Sequence, residues 1–303
     1  MEIERVQNLT EDDFVNGYLK QNKPVVITDA MKNWDIKRFQ PESLQKEFGD
    51  EITQIYDDLF DLQNVASLGS YLKSNFNQPQ KECKQYIRWY TRLKDVDFLW
   101  SDHVFEKLVD AWSHPEFLPK NTLLIPTTTG EQPMDITKNR FPYKGLFISG
   151  KGARTRLHRD PFNSNAILCQ FYGEKEVVLY APDQAPNVMN DTEFVNIKNP
   201  DHTKFPNFSK ATPACKLTLK PGEIILFPSG WFHDVTCATD SVSVTWNFIH
   251  ASGFQDFRSF VLQHPEDDQL EIVRFFLGGL APADSGINEI LEILDAKFAA
   301  NVL

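Results

Sequence analysis

Short runs of alternating apolar and polar residues fill residues 145–250, and turn residues such as Gly, Pro and Asp separate them. This alternation is typical of β-strands that bury one face. The runs are "GLFISG", "NAILCQFYG", "EVVLYAP", "KLTLKPGEIILFP" and "DSVSVTWNFIH". Because no helical pattern interrupts them, we predict a double-sheeted jelly roll, the cupin architecture. The Lys-Pro-Gly sequence at 220–222 predicts a hairpin turn between two of these strands.

The chain before residue 100 mixes helical and strand patterns. Helices are predicted in "LTEDDFVNGYL", where Thr10 is a candidate N-cap, in "QPESLQKEFGD", which ends at Gly49, and in "SLGSYLKSNF". Strands are predicted in "KPVVITDA" and in "QYIRWYTRL", where polar and apolar positions alternate. Residues 100–142 are rich in Pro, Thr and aromatic residues, and we predict that they form connecting structure.

Helical patterns return after His250. "PEDDQLEIVRFFLGGL" begins with Pro and acidic residues, as a helix N-terminus does. In the last segment one helical face carries five apolar residues: Ile287, Ile290, Leu291, Leu294 and Phe298. These helices could form a lid on the barrel, but their apolar surface exceeds what one helical pair easily buries. We therefore predict a homodimer formed through them.

The predicted fold class is mainly β with flanking helices. A double-stranded β-helix (cupin or jelly roll) core carries N-terminal α/β elements and C-terminal helices. We predict a cupin-type domain over residues 1–250, including the N-terminal extension, and a C-terminal helical dimerisation or lid region over residues 251–303. The 303 residues include 24 Phe and 6 Trp, which is enough apolar area for one core domain with appendages.

Charge and cysteine usage limit the partners and the compartment. The formal net charge of −11 argues against broad nucleic-acid binding and favours a basic partner such as a Lys- or Arg-rich peptide. The four cysteines lack a paired ligand spacing, and we interpret them as reduced core thiols. Neither a signal-peptide run nor a membrane-spanning run is visible. These features predict a soluble cytoplasmic or nuclear protein.

Candidate chemistry begins with the stretch "TRLHRDPF". In a strand, residues i and i+2 point the same way, so His158 and Asp160 present an imidazole and a carboxylate to one face. A third ligand is expected from a later strand, and His233 in "PSGWFHDV" is the candidate. Two His and one carboxylate form the facial triad of non-haem Fe(II) oxygenases, although zinc accepts the same ligands. The remaining histidines have polar or Pro-containing neighbours that favour surface or capping roles: His103, His114, His202, His250 and His264.

Lys175 offers a cation close to this site, two residues beyond Gly173 at the start of a predicted strand. A buried ammonium without a partner is costly, so in the barrel mouth it would meet a carboxylate. The distal carboxylate of 2-oxoglutarate is a natural partner. A solvated lysine in the "GEKE" turn is the competing interpretation, which the sequence favours equally.

Several separated motifs resemble the Jumonji-C family of 2-oxoglutarate oxygenases. They are "GARTRLHRD", "FYGEKEVVLYAP", "NPDHTKFPNF", "LKPGEIILFPSGWFHDV" and "SVSVTWNF". The "KPVVITDAMKNW" segment, with "FGD" after it, is typical of the small hydroxylase-type branch, which includes protein asparaginyl and tRNA wybutosine hydroxylases. The resemblance spans roughly residues 20–250.

The resemblance implies a metal set and a co-substrate set. Fe(II) would be bound by His158, Asp160 and His233, and the distal carboxylate of 2-oxoglutarate would meet Lys175 and the hydroxyl of Thr155. Three residues separate Thr155 from His158, so a bend in the strand is required for both to face the pocket.

Further co-substrate residues are implied by family positions. Tyr86 matches the family's early tyrosine that reaches the same carboxylate, although an ordinary core aromatic would fit the same strand pattern. Asn247 lies among polar residues that alternate to one face, where family members often carry an Asn beside the metal-bound carboxylate. Asn165 is a further candidate. The segment between Asp160 and Gly173 is longer than in the asparaginyl hydroxylase and closer to demethylase-like and lysyl-hydroxylase members.

The resemblance implies an enzyme that uses Fe(II), 2-oxoglutarate and O2 to hydroxylate a side chain of a protein or peptide. An N-methyl-lysine or N-methyl-arginine demethylase is the nearest variant, because a hydroxylated N-methyl carbon breaks down. No zinc-module spacing accompanies the site, which favours a hydroxylase. The same residues are also compatible with a 2-oxoglutarate-independent metal cupin and with a binding module whose triad is vestigial. Nucleic acid is an unexpected substrate, with tRNA left open.

Overall fold

Antiparallel strands dominate the computed structural model of the chain, which describes residues 2–78, 82–91, 99, 101–113, 115–119, 123–124, 144–264, 282 and 285–299. In chain order the strands are β1 (Arg5–Val6), β2 (Val25–Ile27), β3 (Ile52–Tyr56), β4 (Leu62–Ser67), β5 (Tyr86–Tyr90), β6 (Leu123–Leu124), β7 (Lys144–Ser149), β8 (Arg154–His158), β9 (Asn165–Tyr172), β10 (Lys175–Tyr180), β11 (Met189–Asn190), β12 (Glu193–Phe194), β13 (Cys215–Leu219), β14 (Ile224–Phe227), β15 (Phe232–Cys237) and β16 (Ser241–His250).

The described strands form two main sheets, which confirms the predicted jelly roll. The larger sheet has the order β1-β2-β14-β9-β16-β7-β5-β3-β4, with β6 also paired to β16. The smaller sheet has the order β13-β10-β15-β8, and β11 and β12 form a separate ribbon. The N-terminal strands β3, β4 and β5 extend the larger sheet beyond β7, so the extension and the barrel share one sheet.

Helices flank the sheets as predicted. They are α1 (Glu11–Phe14), α2 (Pro41–Phe48), α3 (Leu68–Asn75), α4 (Asp102–Lys107), α5 (Ala185–Val188), α6 (Phe254–Gln263) and α7 (Ile287–Ala299). Thr10 is the N-cap of α1 and accepts a hydrogen bond from the Asp13 amide at 3.1 Å. A π-helical segment, Val15–Leu19, continues α1. Residues 100–142 were predicted as connecting structure, yet α4 forms there, because apolar Val104 and Phe105 pack into the core.

Three apolar clusters hold the layers together. One lies between the sheets and includes Leu168 from the larger sheet and Leu179 from the smaller one. A second covers the outer face of the larger sheet, where helices pack on residues such as Trp246. The third covers the outer face of the smaller sheet and contains Phe205 from the "NPDHTKFPNF" segment. The long strands of both sheets therefore bury apolar residues on one or both faces.

The turn at 220–222 is correctly placed, but the predicted hairpin is wrong. The Glu223 amide donates to the Lys220 carbonyl at 3.1 Å, and Gly222 has a φ of +87°. The strands on either side belong to different sheets, because β13 pairs with β10 and β14 pairs with β9 and β2. Turn residues identify a chain reversal, whereas the pairing partner depends on long-range packing.

The C-terminal predictions are only partly within the described residues. Ile290 and Leu291 of the final helix α7 are buried, as the apolar stripe predicts. The side chains of Leu294 and Phe298 and the predicted helix in "PEDDQLEIVRFFLGGL" lie outside the described residues.

All four cysteines are free and buried, which confirms the prediction of reduced core thiols. Of the helices described, none combines the length and apolarity needed to cross a membrane.

Candidate functional site

Three metal-ligand side chains, predicted from positions far apart in the chain, converge at one end of the smaller sheet. His158 on β8 and His233 on β15 are directly paired across the sheet, and their ring centroids are 4.1 Å apart. Asp160 follows the end of β8, and its Oδ2 is 3.8 Å from His233 Nε2. One ligand atom from each of the three residues lies within 4.8 Å of the others, a separation that one metal ion can bridge.

Contacts between Nδ1 and a backbone carbonyl orient both imidazoles. His158 Nδ1 lies 2.8 Å from the Arg156 carbonyl, and His233 Nδ1 lies 3.4 Å from the Trp231 carbonyl. An Nδ1–H that donates to a backbone carbonyl leaves a lone pair on Nε2, the tautomer that binds a metal. The ring of Phe227 also stacks on His233, with centroids 4.3 Å apart and planes at 7°.

The electrostatics of the three ligands suit a divalent cation. Burial lowers the pKa of His158 to about 3, and the neighbouring His233 adds to the effect. Burial likewise lowers the pKa of His233 to about 4 and raises the pKa of the Asp160 carboxyl. Both imidazoles are therefore neutral near pH 7, and a metal ion would replace the hydration that the buried carboxylate has lost. The donor set fits a metal of the Fe(II) or Zn(II) type.

Lys175 is buried in the space between the sheets. The residue is 4% exposed, and its Nζ donates to Ser243 Oγ at 2.6 Å. Nζ also lies 5.8 Å from the centroid of the Phe147 ring. Burial lowers the pKa of this lysine, because the charged form has lost water. The interpretation of Lys175 as a solvated lysine in the "GEKE" turn is therefore wrong.

Thr155 and Tyr86 bring the two sheets together beside this space. The Thr155 hydroxyl donates to the Tyr86 hydroxyl at 3.2 Å. His233 pairs with His158 and Val235 pairs with Thr155, so β8 contains one more residue than β15 over this interval. This bulge is the predicted bend, and it allows Thr155 and His158 to face the same side. Burial raises the pKa of Tyr86 to about 12, so its phenol stays protonated.

The two predicted asparagines lie on opposite faces of the larger sheet. Asn247 donates to Ser164 Oγ at 3.1 Å and hydrogen-bonds Asp160, which favours the ionised carboxylate. Asn247 pairs with Ala166, so the preceding residue on β9, Asn165, points to the other face. The Asn165 amide oxygen accepts instead from the Ser229 amide at 3.1 Å. The structure brings Asn247 to the metal ligands and does not bring Asn165 there.

Two further residues near the metal ligands were not singled out from the sequence. Arg88 follows Tyr86 by two positions on β5, so the strand period was a signal that it faces the pocket. Phe60, in the turn between β3 and β4, packs edge-on against the His158 ring with centroids 5.1 Å apart. The Arg156 amide donates to the Asp58 carbonyl at 3.2 Å, which attaches this turn to β8. No local pattern could have placed Phe60, because the contact depends on how the hairpin folds.

The remaining histidines fit surface and capping roles. His250 caps the turn after β16 by accepting from the Ser252 amide at 3.1 Å. His103 Nε2 lies 3.0 Å from a Glu51 carboxylate oxygen on the surface. His202 and His264 are exposed, and His114 lies outside the described residues. The metal ligands are therefore distinguished by their convergence, since the buried His250 has no such partners among the described residues.

Comparison with known proteins defines the class. The cupin-like domain family matches residues 11–255, which is most of the chain, and the chain belongs to that family. Within it the chain is a Jumonji-C-type protein, as its relatives indicate. It is 25% identical over 273 residues to arginine-specific demethylase JMJ20 of Arabidopsis thaliana, covering 82% of this chain and 58% of the relative.

Two more relatives carry different functional names. The 2-oxoglutarate and iron-dependent oxygenase JMJD4 of Gallus gallus is 24% identical over 269 residues, covering 82% of this chain and 60% of the relative. The bifunctional arginine demethylase and lysyl-hydroxylase psr-1 of Caenorhabditis elegans is 23% identical over 267 residues, covering 81% of this chain and 61% of the relative. The chain thus spans less than two thirds of the length of these relatives.

Proposed function

We propose that the chain is an Fe(II)- and 2-oxoglutarate-dependent oxygenase that hydroxylates a side chain of a protein or peptide. One observation carries the proposal: a buried ammonium, Lys175, lies on the inner face of the smaller sheet, as does the metal-ligand candidate His233, which is paired with Leu179 of the same strand. Zinc accepts the same ligands, but a metal site alone does not require an internal cation. A dicarboxylic acid that reaches from the metal to the Lys175 ammonium would bind to both of them.

The co-substrate would be held at its distal carboxylate by three donors. The Lys175 ammonium supplies the charge, and the Thr155 and Tyr86 hydroxyls supply neutral hydrogen bonds. Along β10, Lys175 lies four residues from Leu179, which pairs with His233, and this interval is about 13 Å between Cα atoms. A lysine side chain and a five-carbon dicarboxylate together cover such a distance.

The metal would be held by His158, Asp160 and His233, with Asn247 fixing the Asp160 carboxylate. Bound iron supplies the chemistry that couples O2 reduction to decarboxylation of 2-oxoglutarate and oxidation of a C–H bond. The overall reaction balances as substrate, 2-oxoglutarate and O2 giving hydroxylated substrate, succinate and CO2. The chain itself orients the co-substrate, keeps both imidazoles neutral and excludes water from the ligands.

The target is proposed to be a protein or peptide, because relatives are named for demethylation of arginine and hydroxylation of lysine. The net charge of −11 favours a peptide with basic flanks. N-methyl demethylation is the second candidate, since hydroxylation of an N-methyl carbon uses the same metal and co-substrate residues. The names of relatives support both hydroxylation and demethylation. Identifying the product on a peptide, either a hydroxylated side chain or a demethylated one, separates the two.

We also propose how the chain is organised and where it resides. The cupin-type domain covers residues 1–250, and residues 251–303 form a dimerisation or lid region. The chain is a homodimer through its C-terminal helices, and it resides in the cytoplasm or nucleus. Light scattering at micromolar concentration tests the dimer, and a monomeric mass would contradict it.

Succinate release is the direct test of the proposed reaction. Purified protein would be supplied with Fe(II), 2-oxoglutarate and O2, and screened over peptides, free amino acids and tRNA. We expect succinate from the wild type and none from His233→Ala. Lys175→Ala should lose turnover at limiting 2-oxoglutarate, whereas Lys216→Ala, an exposed lysine on β13, should retain it. Full activity of Lys175→Ala would support a 2-oxoglutarate-independent cupin instead.

A further inference from the structure

The guanidinium of Arg88 lies within a group of aromatic rings that we call the Arg88 box. Its Cζ is 4.3 Å from the ring centroid of Phe60, 5.3 Å from that of Tyr90, 5.4 Å from that of Tyr56 and 5.9 Å from that of Phe147. Arg88 Nη2 also donates to the Tyr90 hydroxyl at 3.3 Å. Aromatic faces around a cation stabilise it through their quadrupoles, so the ring geometry is that of a cation-binding cage.

The Arg88 box faces the proposed co-substrate space. On β5, Arg88 pairs with Phe147 of β7, as Tyr86 pairs with Ser149, so Arg88 and Tyr86 share one face of the sheet. Phe147 is also stacked on Tyr86, with centroids 6.1 Å apart, and lies near the Lys175 ammonium. Arg88 therefore lies two residues along β5 from Tyr86, one of the residues proposed to hold the co-substrate, and its side chain is on the same face.

The same box touches one of the metal ligands, His158. Phe60 contacts the Arg88 guanidinium with one face and packs edge-on against the His158 ring. A guanidinium remains charged at all accessible pH values, so this positive charge is a constant feature of the site.

Gly145 shows that the box is closely packed. A Cβ at this position would lie 2.7 Å from a Tyr90 ring carbon and 3.0 Å from a Phe147 ring carbon. Glycine therefore allows the two rings to approach the backbone of β7, where any other residue would displace them. The rings that surround Arg88 are held in place by the sheet.

We propose that Arg88 is a specificity-determining residue that directs this chain to an uncharged or acidic target side chain and excludes N-methyl-lysine and N-methyl-arginine. A methylated cation is recognised by an aromatic cage, and here the chain's own guanidinium fills the cage beside the metal ligands. A second cation placed next to it would be repelled, whereas an amide or carboxylate target offers acceptors that suit a guanidinium. This inference rests on the proposed oxygenase function and selects hydroxylation over demethylation.

Peptide libraries with one fixed central residue test the inference. The centre would be asparagine, aspartate, trimethyl-lysine or dimethyl-arginine, with the flanking positions randomised. Anisotropy would measure binding to the Mn(II)-loaded protein without O2, and mass spectrometry would measure products with Fe(II) and O2. We expect wild type to prefer the asparagine or aspartate library over both methylated libraries by at least roughly tenfold in both measurements.

Three variants separate a specificity role from a structural one. Arg88→Gln should reduce the preference to about twofold or less, and Arg88→Lys should retain part of it, because the charge remains while the planar stacking is lost. Arg38→Gln, which removes a surface contact to Glu47, should leave the preference unchanged. Circular dichroism would confirm that each variant is folded.

The outcomes distinguish this inference from the proposed function. Wild-type protein that fails to discriminate between the libraries, or that prefers a methylated one, overturns the role of Arg88, as does an unchanged preference in folded Arg88→Gln. Succinate release without peptide, which Lys175→Ala should diminish, reports the oxygenase reaction itself. If succinate is released with or without peptide, only the inference on Arg88 is at stake; if it is released neither without peptide nor with any library, the proposed function fails.

Discussion

The Lys175 ammonium and the Ser243 hydroxyl, which belong to opposite sheets, are joined by a hydrogen bond of 2.6 Å. The contact places a positive charge where water is excluded, with a neutral oxygen as its partner. A neutral acceptor compensates only part of the lost hydration of an ammonium. The relationship therefore indicates a residue kept for binding an anion, at a cost to the stability of the protein without it.

Replacing Lys175 with Met is expected to separate stability from co-substrate binding. Lys175→Met should raise the free energy of unfolding of the protein without metal and co-substrate by about 1 kcal/mol or more, because a buried charge is replaced by an apolar chain of similar length. The same change should weaken 2-oxoglutarate binding at least roughly tenfold, since a charged hydrogen bond is lost. Urea unfolding and calorimetric titration measure the two effects, with Lys216→Met as the surface control. Equal co-substrate affinity in both variants would contradict the assignment.

Removing His233 is expected to abolish metal binding without unfolding the protein. His233→Ala should weaken Co(II) binding by about 100-fold or more, because two ligands rarely retain a divalent ion against water. The variant should also lose modest stability, since the ring stacks on Phe227. Optical titration with Co(II) measures the affinity, and exposed His202→Ala is the matched control. Tight Co(II) binding by the variant would place the metal elsewhere.

Metal affinity should be nearly independent of pH between 6 and 8. The pKa values of about 3 for His158 and about 4 for His233 mean that neither imidazole binds a proton that the metal must displace. Two imidazoles with ordinary values near 6.5 would lose more than about tenfold in affinity between pH 8 and pH 6. At lower pH the affinity should fall as the Asp160 carboxylate is protonated, since burial raises its pKa. Calorimetric titration with Co(II) at three pH values measures this, and a loss of more than tenfold at pH 6 would show that at least one of the three ligands binds a proton there.

The hydroxyl pair at 3.2 Å should act as a unit in co-substrate binding. Thr155→Val and Tyr86→Phe are each expected to weaken 2-oxoglutarate binding by about 0.5–1.5 kcal/mol, the net value of a neutral hydrogen bond. Their combination should cost less than the sum, because either substitution already removes the bond between the two groups. A double-mutant cycle in 2-oxoglutarate affinity measures the coupling, and strict additivity would show that the two hydroxyls act independently.

Much of the site could be predicted because its signals are local. The His-x-Asp spacing at 158–160 and the strand period around Asn247 depend only on which way neighbouring side chains point, and the structure places these side chains next to one another. The need for a bend between Thr155 and His158 was likewise visible from a three-residue interval, and the bulge in β8 supplies it. Asn165 could not be judged in this way, because its face depends on the pairing of β9 with β16.

The sequence by itself determined most of the longer strands of the barrel, the buried cysteines and the identity of the metal-ligand candidates, because alternation and residue chemistry are properties of short segments. Only the tertiary structure decided that the turn at 220–222 crosses between sheets, that Lys175 is buried rather than solvated, and that Arg88 is surrounded by rings from β3, β5, β7 and the turn after β3. These features depend on contacts between segments far apart in the chain. Local patterns specify the face of a strand, whereas the packing of the whole core decides what lies opposite that face.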